Sequence, residues 1–154
     1  MSKKLRIGII GAGRIGKLHA HNLVNRVPGA EVAAVSDVNI EAARQLAQEL
    51  GIPKAYADYQ EILSDKTIDA VFVCSSTDTH SPISIAAARA GKDIFCEKPI
   101  DHDLDKIREV LGEVKKAGVR YQVGFNRRFD HNFRHVQQVV KDGGIGDVQI
   151  VKVT

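Results

Sequence analysis

The sequence predicts a doubly wound α/β fold, in which helices cover both faces of a parallel β-sheet. A first apolar, β-branched run, residues 5–10, ends in glycines. It is followed by a helical pattern over residues 14–27 and a second apolar run over residues 31–36, which together make a βαβ unit. The apolar runs are nearly continuous and do not alternate with polar residues, so both faces of the sheet are expected to be covered.

The alternation of strands and helices continues to about residue 124. The further predicted strands are residues 55–57, 70–74, 93–96 and 120–124. The further predicted helices are residues 40–50, 82–90 and 104–117, with a helical turn at 59–63. Glycines follow three of the helices and are typical of left-handed C-caps, namely Gly51, Gly91 and Gly118.

The pattern changes after Gly124. Residues 130–141 are predicted to form a helix, three glycines then interrupt the pattern, and residues 148–153 form an apolar, β-rich run. This terminal strand has no obvious partner in the sequence. An unpaired apolar edge invites dimerisation or strand exchange, so a strand-mediated dimer is expected.

The composition is that of an ordinary globular protein. The chain has 154 residues, of which 44% are hydrophobic and 27% charged, enough for one core. No apolar run approaches the roughly 20 residues of a membrane span, and no signal-peptide pattern follows Lys3 and Lys4, so a cytoplasmic location without membrane contact is expected. The net charge of +3 is mild, and no aromatic and basic stripe indicates nucleic acid.

The cysteines and histidines give no sign of a metal site. Cys74 and Cys96 lie in no metal-ligand spacing and are expected to be buried thiols. His131 and His135 are spaced i, i+4 on a predicted helix, but no acidic residue of the HExxH type lies between them, which favours a solvated helix face. Packing or surface exposure is expected to account for the two histidines of the first helix, His19 and His21.

The stretch from Gly11 to Gly16 reads GAGRIG, a GxGxxG motif between a predicted strand and a predicted helix. In such a motif the first glycine permits a tight turn, the second lets the backbone approach a pyrophosphate, and the third allows close packing of helix on strand. The phosphates then meet the N–H groups and the positive end of the helix dipole. The motif alone is weak, but this context predicts a nucleotide-binding site.

Asp37 closes the second apolar run, about 20 residues beyond the last glycine of the motif. A carboxylate at this position accepts hydrogen bonds from the ribose 2′-hydroxyl and repels a 2′-phosphate. Val38 and Asn39 supply no cation to offset that repulsion, so NAD is favoured over NADP. The alternative interpretation, Asp37 as N-cap of the following helix, fits the position but does not explain the spacing.

Two later loops follow strands at the same expected edge of the sheet. Residues 75–80 read SSTDTH, whose hydroxyl and backbone N–H groups could reach a cofactor. The alternative is that Thr79 or Ser81 merely caps the following helix, and a turn-holding role is slightly favoured for His80. Residues 97–99 read EKP, which places the cation of Lys98 at this edge, where it could hydrogen-bond a substrate hydroxyl as hydride leaves.

With these motifs the chain resembles the amino-terminal domain of the Gfo/Idh/MocA oxidoreductases, in particular the inositol 2-dehydrogenase branch. The resemblance covers essentially the whole chain and is carried by the motifs GAGRIG, CSSTDTH, FCEKPID and GFNRRFD. It implies an NAD-binding Rossmann domain in residues 1–125. It further implies that residues 126–154 are a connecting helix and the first strand of a second α/β domain, before which the chain is truncated.

The resemblance also implies a reaction, the transfer of hydride from a ring hydroxyl of a polyol such as myo-inositol to NAD. Lys98 would be the catalytic residue, and Lys98, Asn126 and Arg127 would bind substrate. The cofactor-binding residues expected from the motifs and the resemblance together are Gly11, Gly13, Arg14, Ile15, Gly16, Asp37, Val38, Ser75, Ser76, Thr77, His80, Glu97, Lys98 and Asn126.

Because the family's second domain supplies further catalytic groups and the oligomerisation surface, this chain is expected to be inactive alone, and the full-length enzyme is expected to be a homo-oligomer. Two other functions stay open. One is an NAD-binding or sensing module without catalysis, and the other is a dehydrogenase of the same family that acts on another sugar or a non-sugar substrate.

Overall fold

The computed structural model describes residues 3–152, and these contain a six-stranded, fully parallel sheet in the order β3-β2-β1-β4-β5-β6. The strands are β1 (Leu5–Ile10), β2 (Ala30–Ser36), β3 (Ala55–Tyr56), β4 (Ala70–Val73), β5 (Asp93–Cys96) and β6 (Tyr121–Val123). The helices are α1 (Arg14–Arg26), α2 (Ile40–Leu50), α3 (Gln60–Ser64), α4 (Thr77–Arg89), α5 (Leu104–Ala117) and α6 (His131–Lys141), with a 3₁₀-helix at Asn126–Phe129.

The strand order confirms the predicted doubly wound fold. The connections run outward from β1 to β2 and β3 on one side and from β4 to β5 and β6 on the other, so the order reverses between β1 and β4. Open α/β sheets bind their ligands outside the carboxyl ends of the strands at such a reversal. The predicted left-handed glycines are also present, with φ of 67° to 71° at Gly51, Gly91 and Gly118.

Two apolar cores lie on the two faces of the sheet. On one face Ala20 and Leu23 of α1 and Leu46 of α2 pack together with side chains of β1 and β2. On the other face, Ile62, Ile83 and Val110 belong to a cluster that joins α3, α4 and α5 to the sheet. The side chains alternate between the two faces along each strand, which explains why the strands read as nearly continuous apolar runs.

The expectation that both faces are fully covered is only partly correct. On the α1 face a groove of about 610 Å³ remains open beside β1 and over β4, β5 and β6, lined in part by Leu23, Phe72 and Phe95. The reason is topological, because α1 and α2 lead to β2 and β3 and therefore lie over that half of the sheet.

Helix α4 begins five residues earlier than the sequence pattern predicts. Pro82 favours the first turn of a helix because it lacks an N–H, yet it is the sixth residue of α4. The two residues before it are buried and tied to a distant segment. His80 Nδ1 lies 2.7 Å from the carbonyl oxygen of Pro99, and Ser81 Oγ donates to the carbonyl oxygen of Ile100 at 3.3 Å. These tertiary contacts account for the earlier start.

The chain divides into two compact units, Met1–Gly124 and Phe125–Thr154. In the second unit Asp130 is the N-cap of α6, and its Oδ1 accepts hydrogen bonds from the backbone N–H groups of Asn132 and Phe133 at 2.9 and 3.2 Å. Residues 148–152 form no strand, so the prediction of a strand at residues 148–153 is wrong over this range. Residue 153 lies outside the described part of the chain. A strand requires a paired backbone and a single chain offers no second copy, so the strand-mediated dimer stays a prediction.

No helix within residues 3–152 is long and apolar enough to cross a membrane.

Helix α3 packs so closely on the centre of the sheet that a Cβ at Gly8 of β1 would overlap with Cγ2 of the fully buried Ile62. This contact couples the two positions.

We expect Gly8→Ala and Ile62→Ala each to lower the free energy of unfolding, the first by overpacking and the second by about 2–5 kcal/mol through a cavity. In the double variant the new methyl group occupies space left by the isoleucine, so the loss should be smaller than the sum of the two single losses. Urea unfolding followed by circular dichroism measures all three.

Gly112→Ala is the matched control, because Gly112 lies at an exposed position of α5 with open space around a new Cβ. It should stabilise the chain by up to about 1 kcal/mol through helix propensity. If the losses of unfolding free energy from Gly8→Ala and Ile62→Ala added exactly in the double variant, the described packing of α3 on β1 would be contradicted.

Candidate functional site

A cleft of about 540 Å³ lies at the carboxyl edge of the sheet, where the sequence places its motifs. Its walls come from the ends of three strands: Ile10 and Gly11 after β1, residues 36–38 at the end of β2, and residues 74–76 after β4. Tyr59 and Ile83 add apolar surface. The cleft is therefore mostly apolar with a few polar groups at its rim, as is usual for a small-molecule site.

The three glycines of the GxGxxG motif have different surroundings. Gly11 has a φ of 102°, and a Cβ there would lie 2.7 Å from the backbone of Cys74 and of Ser75, so the turn touches the end of β4. A Cβ at Gly16 would overlap with the carbonyl oxygen of Gly11, which is the close packing of helix on strand that the motif predicts. Apart from its two chain neighbours, no residue within 3–152 has an atom within 4 Å of a Cβ built at Gly13, so space at the start of α1 is open.

Asp37 is fixed at the cleft by its own turn and by the glycine-rich turn. Its Oδ2 accepts a hydrogen bond from the backbone N–H of Ala12 at 2.7 Å, and its Oδ1 accepts one from Asn39 N–H at 2.9 Å. The alternative that Asp37 is the N-cap of α2 is wrong, because Asn39 holds that position. A carboxylate has about four acceptor positions, so lone pairs remain for hydroxyl donors.

Of the other predicted residues of this half, Val38 lines the cleft, whereas Arg14 and Ile15 lie at the start of α1 and are not among its lining residues. Val38 is 97% exposed and lines the cleft beside Asp37. Arg14 and Ile15 form the first turn of α1, where Arg14 is exposed and Ile15 half-buried. These positions agree with contact to a ligand that lies across the start of α1.

The loop after β4 presents hydroxyl groups and a helix N-terminus at the cleft. Ser75 Oγ and Thr79 Oγ1 are 2.7 Å apart, and Thr79 Oγ1 donates to the carbonyl oxygen of Ser76 at 2.7 Å. Helix α4 begins at Thr77 with Ser76 as its N-cap, so the alternative in which Thr79 or Ser81 caps the helix is wrong. Ser76 makes no side-chain capping bond, which leaves its hydroxyl available.

His80 does not face the cleft. It is 2% exposed, and its two ring nitrogens lie 2.7 Å from the carbonyl oxygen of Pro99 and 3.1 Å from that of Ser75. The ring thus has no free nitrogen to offer a cofactor. The structure supports the turn-holding role of His80, and its predicted direct contact with the cofactor is corrected accordingly.

The EKP turn after β5 is tied to α1. Glu97 Oε1 lies 2.8 Å from His19 Nε2, and Glu97 Oε2 accepts from the backbone N–H of Lys98 at 3.2 Å. The His19 ring also packs edge-on against Phe72 and Phe95. The Lys98 side chain is exposed, so its amine can reach a ligand at this edge of the sheet.

Asn126 and Arg127 lie in the second unit, within the 3₁₀-helix. The Arg127 guanidinium lies 4.9 Å from the centre of the Phe133 ring and 3.7 Å from Asp130 Oδ2. The expectation that both residues bind substrate remains a prediction.

Sequence reasoning missed three residues of the site. The Ser36 hydroxyl is buried against the cleft and has no hydrogen-bond partner among the described residues, and its place before Asp37 was the available signal. Tyr59 carried no motif. His19 follows Gly16 by three residues, so the two share a face of α1, and that spacing could have indicated a role at the sheet edge.

No group of three or more His, Cys, Asp or Glu side chains within residues 3–152 is arranged to hold a metal ion. Cys74 and Cys96 are buried free thiols, and burial, with Glu97 nearby, raises the pKa of Cys74. A thiol with a raised pKa is a poor nucleophile at neutral pH.

A dinucleotide fits this arrangement. The open space at Gly13 lies at the N-terminus of α1, and Ser36, Asp37 and Ser75 line the cleft beside it. The buried Ser36 hydroxyl has no hydrogen-bond partner among the described residues. This combination of sheet reversal, glycine turn and strand-end carboxylate defines a dinucleotide-binding Rossmann domain.

Comparison with known proteins names the family. Residues 5–125 match the Gfo/Idh/MocA family, described as an oxidoreductase family with an NAD-binding Rossmann fold. The chain therefore belongs to the Gfo/Idh/MocA oxidoreductase family, and its Rossmann domain is an NAD-binding one, as the sequence motifs predicted.

Several relatives are inositol dehydrogenases. The chain is 45% identical over 150 residues to the myo-inositol 2-dehydrogenase of Thermotoga maritima, and 44% identical over 150 residues to the inositol 2-dehydrogenase of Rhizobium meliloti. These alignments cover 97% of this chain in both cases, and 45% and 44% of the relatives. The chain thus spans less than half the length of these curated relatives.

A solved structure shows the same fold with ligands. The scyllo-inositol dehydrogenase of Lactobacillus casei, with bound cofactor NAD(H) and scyllo-inositol, superposes with a TM-score of 0.88 at 35% sequence identity. The match covers 94% of this chain and 43% of that structure.

We predict that Gly13→Ala and Gly16→Ala separate ligand binding from folding. Alanine at Gly13 meets no protein atom, so the chain should keep its melting temperature, but the methyl group occupies the open space and should weaken NAD binding at least about tenfold. Alanine at Gly16 collides with the Gly11 carbonyl and should lower the melting temperature by several degrees. Calorimetric titration and thermal unfolding measure the two effects.

Gly29→Ala is the control, because its Cβ position is also open but lies away from the cleft. This substitution should change neither the NAD affinity nor the melting temperature appreciably. Unchanged NAD binding by Gly13→Ala would show that the open space is not used by the cofactor.

Proposed function

We propose that this chain is the cofactor-binding part of a dehydrogenase that transfers hydride from a ring hydroxyl of a cyclitol or sugar to NAD, with myo-inositol as the first substrate to test. Residues 1–125 would form the NAD-binding domain. Residues 126–154 would lead into a substrate domain of the kind that the longer relatives have room for.

The observation that carries the proposal is the meeting of the glycine turn and Asp37 in one cleft. The hydrogen bond from Ala12 N–H to Asp37 Oδ2 brings the carboxylate to the first turn of α1, beside the open space at Gly13. A dinucleotide is the ligand that requires a phosphate site at a helix N-terminus and, beside it, a carboxylate that accepts hydrogen bonds from the ribose. The carboxylate also disfavours a 2′-phosphate, which supports NAD over NADP.

Bound NAD supplies the hydride acceptor. The residues of this chain would bind the cofactor and orient the reacting hydroxyl. Helix α1 neutralises the pyrophosphate through its N-terminal N–H groups. The exposed Lys98 amine, at the same edge of the sheet, donates a hydrogen bond to the reacting oxygen. It stabilises the negative charge that develops there as the hydroxyl proton passes to a base of the proposed substrate domain and hydride passes to NAD.

Substrate contacts are proposed for Lys98, Asn126 and Arg127. The inositol dehydrogenases among the relatives favour a cyclitol over other substrates. Since the chain spans less than half the length of those relatives, we propose that it binds NAD but does not turn over substrate alone, and that the full-length enzyme is a homo-oligomer.

We expect this chain to bind NAD at least about tenfold more tightly than NADP. Asp37→Ala should abolish that preference, because it removes both the acceptor for the ribose and the charge that repels the 2′-phosphate. It should also lower stability by about 1–3 kcal/mol, because the Ala12 and Asn39 N–H groups lose their acceptor. Calorimetric titration with both cofactors, together with urea unfolding, provides the measurement.

Asp69→Ala is the matched control. Asp69 also accepts a long-range backbone hydrogen bond, from Arg6 N–H at 2.8 Å, but it lies at the opposite edge of the sheet. This variant should lose stability and keep the NAD preference. If the wild-type chain bound neither cofactor, or both equally, the proposed role of Asp37 would be wrong.

Testing the role of Lys98 in catalysis requires a complete enzyme. We expect a chimera that joins this chain to the remainder of the Thermotoga maritima relative to oxidise myo-inositol with NAD, and Lys98→Ala in that chimera to lower kcat by about 10²-fold or more. NAD affinity should stay within a few fold. Turnover by the chain alone would contradict the proposed inactivity, and loss of NAD binding in Lys98→Ala would make Lys98 a cofactor-binding residue only.

A further inference from the structure

The turn that carries Lys98 is attached to two helices, one on each face of the sheet. Helix α1 packs in the core on one face and α4 in the core on the other. Each sends a histidine to the Glu97–Pro99 turn, His19 from α1 and His80 from α4. Neither contact is required by the fold of the strands themselves, which already pair at β4, β5 and β6.

The contact from α1 joins an imidazole ring to a carboxyl group. His19 Nε2 lies 2.8 Å from Glu97 Oε1, and both side chains are mostly buried. Because a carboxylate only accepts hydrogen bonds, the ring nitrogen is the donor. The second carboxylate oxygen of Glu97 accepts from Lys98 N–H, so the same side chain links His19 to the backbone of Lys98.

The contact from α4 fixes the other end of the turn. His80 Nδ1 lies 2.7 Å from the Pro99 carbonyl oxygen, and His80 Nε2 lies 3.1 Å from the Ser75 carbonyl oxygen. Both partners are carbonyl oxygens, which only accept, so satisfying both requires a proton on each ring nitrogen. With a proton on each nitrogen, the buried ring joins the loop after β4 to the loop after β5 as an imidazolium.

The electrostatics of the site agree with this protonation state. Burial disfavours a charged ring, but the Cys96 side chain on β5 and the Pro99 and Ser75 carbonyl oxygens outweigh it and raise the pKa of His80 from 6.5 to about 9. Because the pKa is raised on folding, the stabilising contribution is fully present below pH 6.5 and is lost as the pH rises through about 9.

We propose that His19 and His80 are positioning residues that clamp the Glu97–Pro99 turn from the two faces of the sheet and thereby hold the Lys98 amine at the nicotinamide end of the cofactor site. This inference rests on the proposed function, which places Lys98 beside the reacting hydroxyl. It adds that α1, whose N-terminus receives the phosphates, also orients the lysine through His19 and Glu97.

The test uses NMR of the isotope-labelled chain, with the Lys98 ¹³Cε resonance followed during titration with NAD. The shift of that resonance on NAD binding reports how close the amine is to the positively charged nicotinamide ring. The Lys98 backbone amide reports the geometry of the turn without any ligand. The His80 ring ¹⁵N resonances report the protonation of both nitrogens.

Matched substitutions keep or remove single hydrogen bonds. His80→Asn keeps a donor near the Nδ1 position, toward Pro99, whereas His80→Gln keeps one near the Nε2 position, toward Ser75. His19→Gln keeps a donor toward Glu97, whereas His19→Leu removes it. His21→Gln is the control, because His21 on the same helix pairs with Glu49 at the surface.

We expect His80→Gln and His19→Leu to lose at least about half of the Lys98 response, while NAD affinity stays within about threefold because the adenosine half of the site is unchanged. His80→Asn, His19→Gln and His21→Gln should respond as the wild type does. In the wild type at pH 7, both His80 ring nitrogens should carry protons. This last measurement needs no variant, so it decides the His80 half of the proposal even if a His80 variant fails to fold.

Three outcomes would overturn the proposal: a full Lys98 response in His80→Gln and His19→Leu, equal losses in the paired conservative variants, or an unprotonated His80 nitrogen at pH 7. Failure of the proposed function gives a different result. If NAD binds and Lys98 does not respond in the wild type, Lys98 is not at the reaction site, and the amide shifts of the free chain then show whether the two histidines hold the turn.

Discussion

The close approach of Gly16 to the carbonyl oxygen of Gly11 is the constraint on which the site depends. Without a Cβ at Gly16, α1 can begin directly above the end of β1, with its free N–H groups at the carboxyl edge of the sheet. One turn further along the same face, His19 then reaches Glu97. The open N-terminus of α1 and its contact with the Glu97 side chain thus both depend on the close packing at Gly16.

Hydrogen bonds between strand ends hold the rest of the site. Asp37 joins the end of β2 to the glycine turn through Ala12 N–H, and His80 joins the loop after β4 to the loop after β5. These bonds connect segments far apart in the chain, and the groups they pair are partly or fully buried, where an unpaired polar group is expensive. The cleft is therefore preorganised before a cofactor binds, and its shape does not depend on one loop alone.

The fold could be predicted almost entirely from the sequence, because the pattern of apolar runs, helical periods and glycines is local. The strands and helices up to Gly124 were found within a few residues, and the GxGxxG motif and Asp37 fall in one cleft. The failures share a cause. Helix α4 starts early because buried contacts hold its first turn, and residues 148–152 form no strand because a strand exists only through pairing.

The sequence alone determined the fold class, the glycine turn and the cofactor class, since these depend on residue type and spacing along the chain. Only the tertiary structure decided what supports them: that the Asp37 carboxylate anchors the glycine turn, that His80 faces two carbonyl oxygens, and that His19 meets Glu97 from 78 residues away. Sequence spacing carries no information about such contacts, because the distance between two side chains is set by how the helices pack on the sheet.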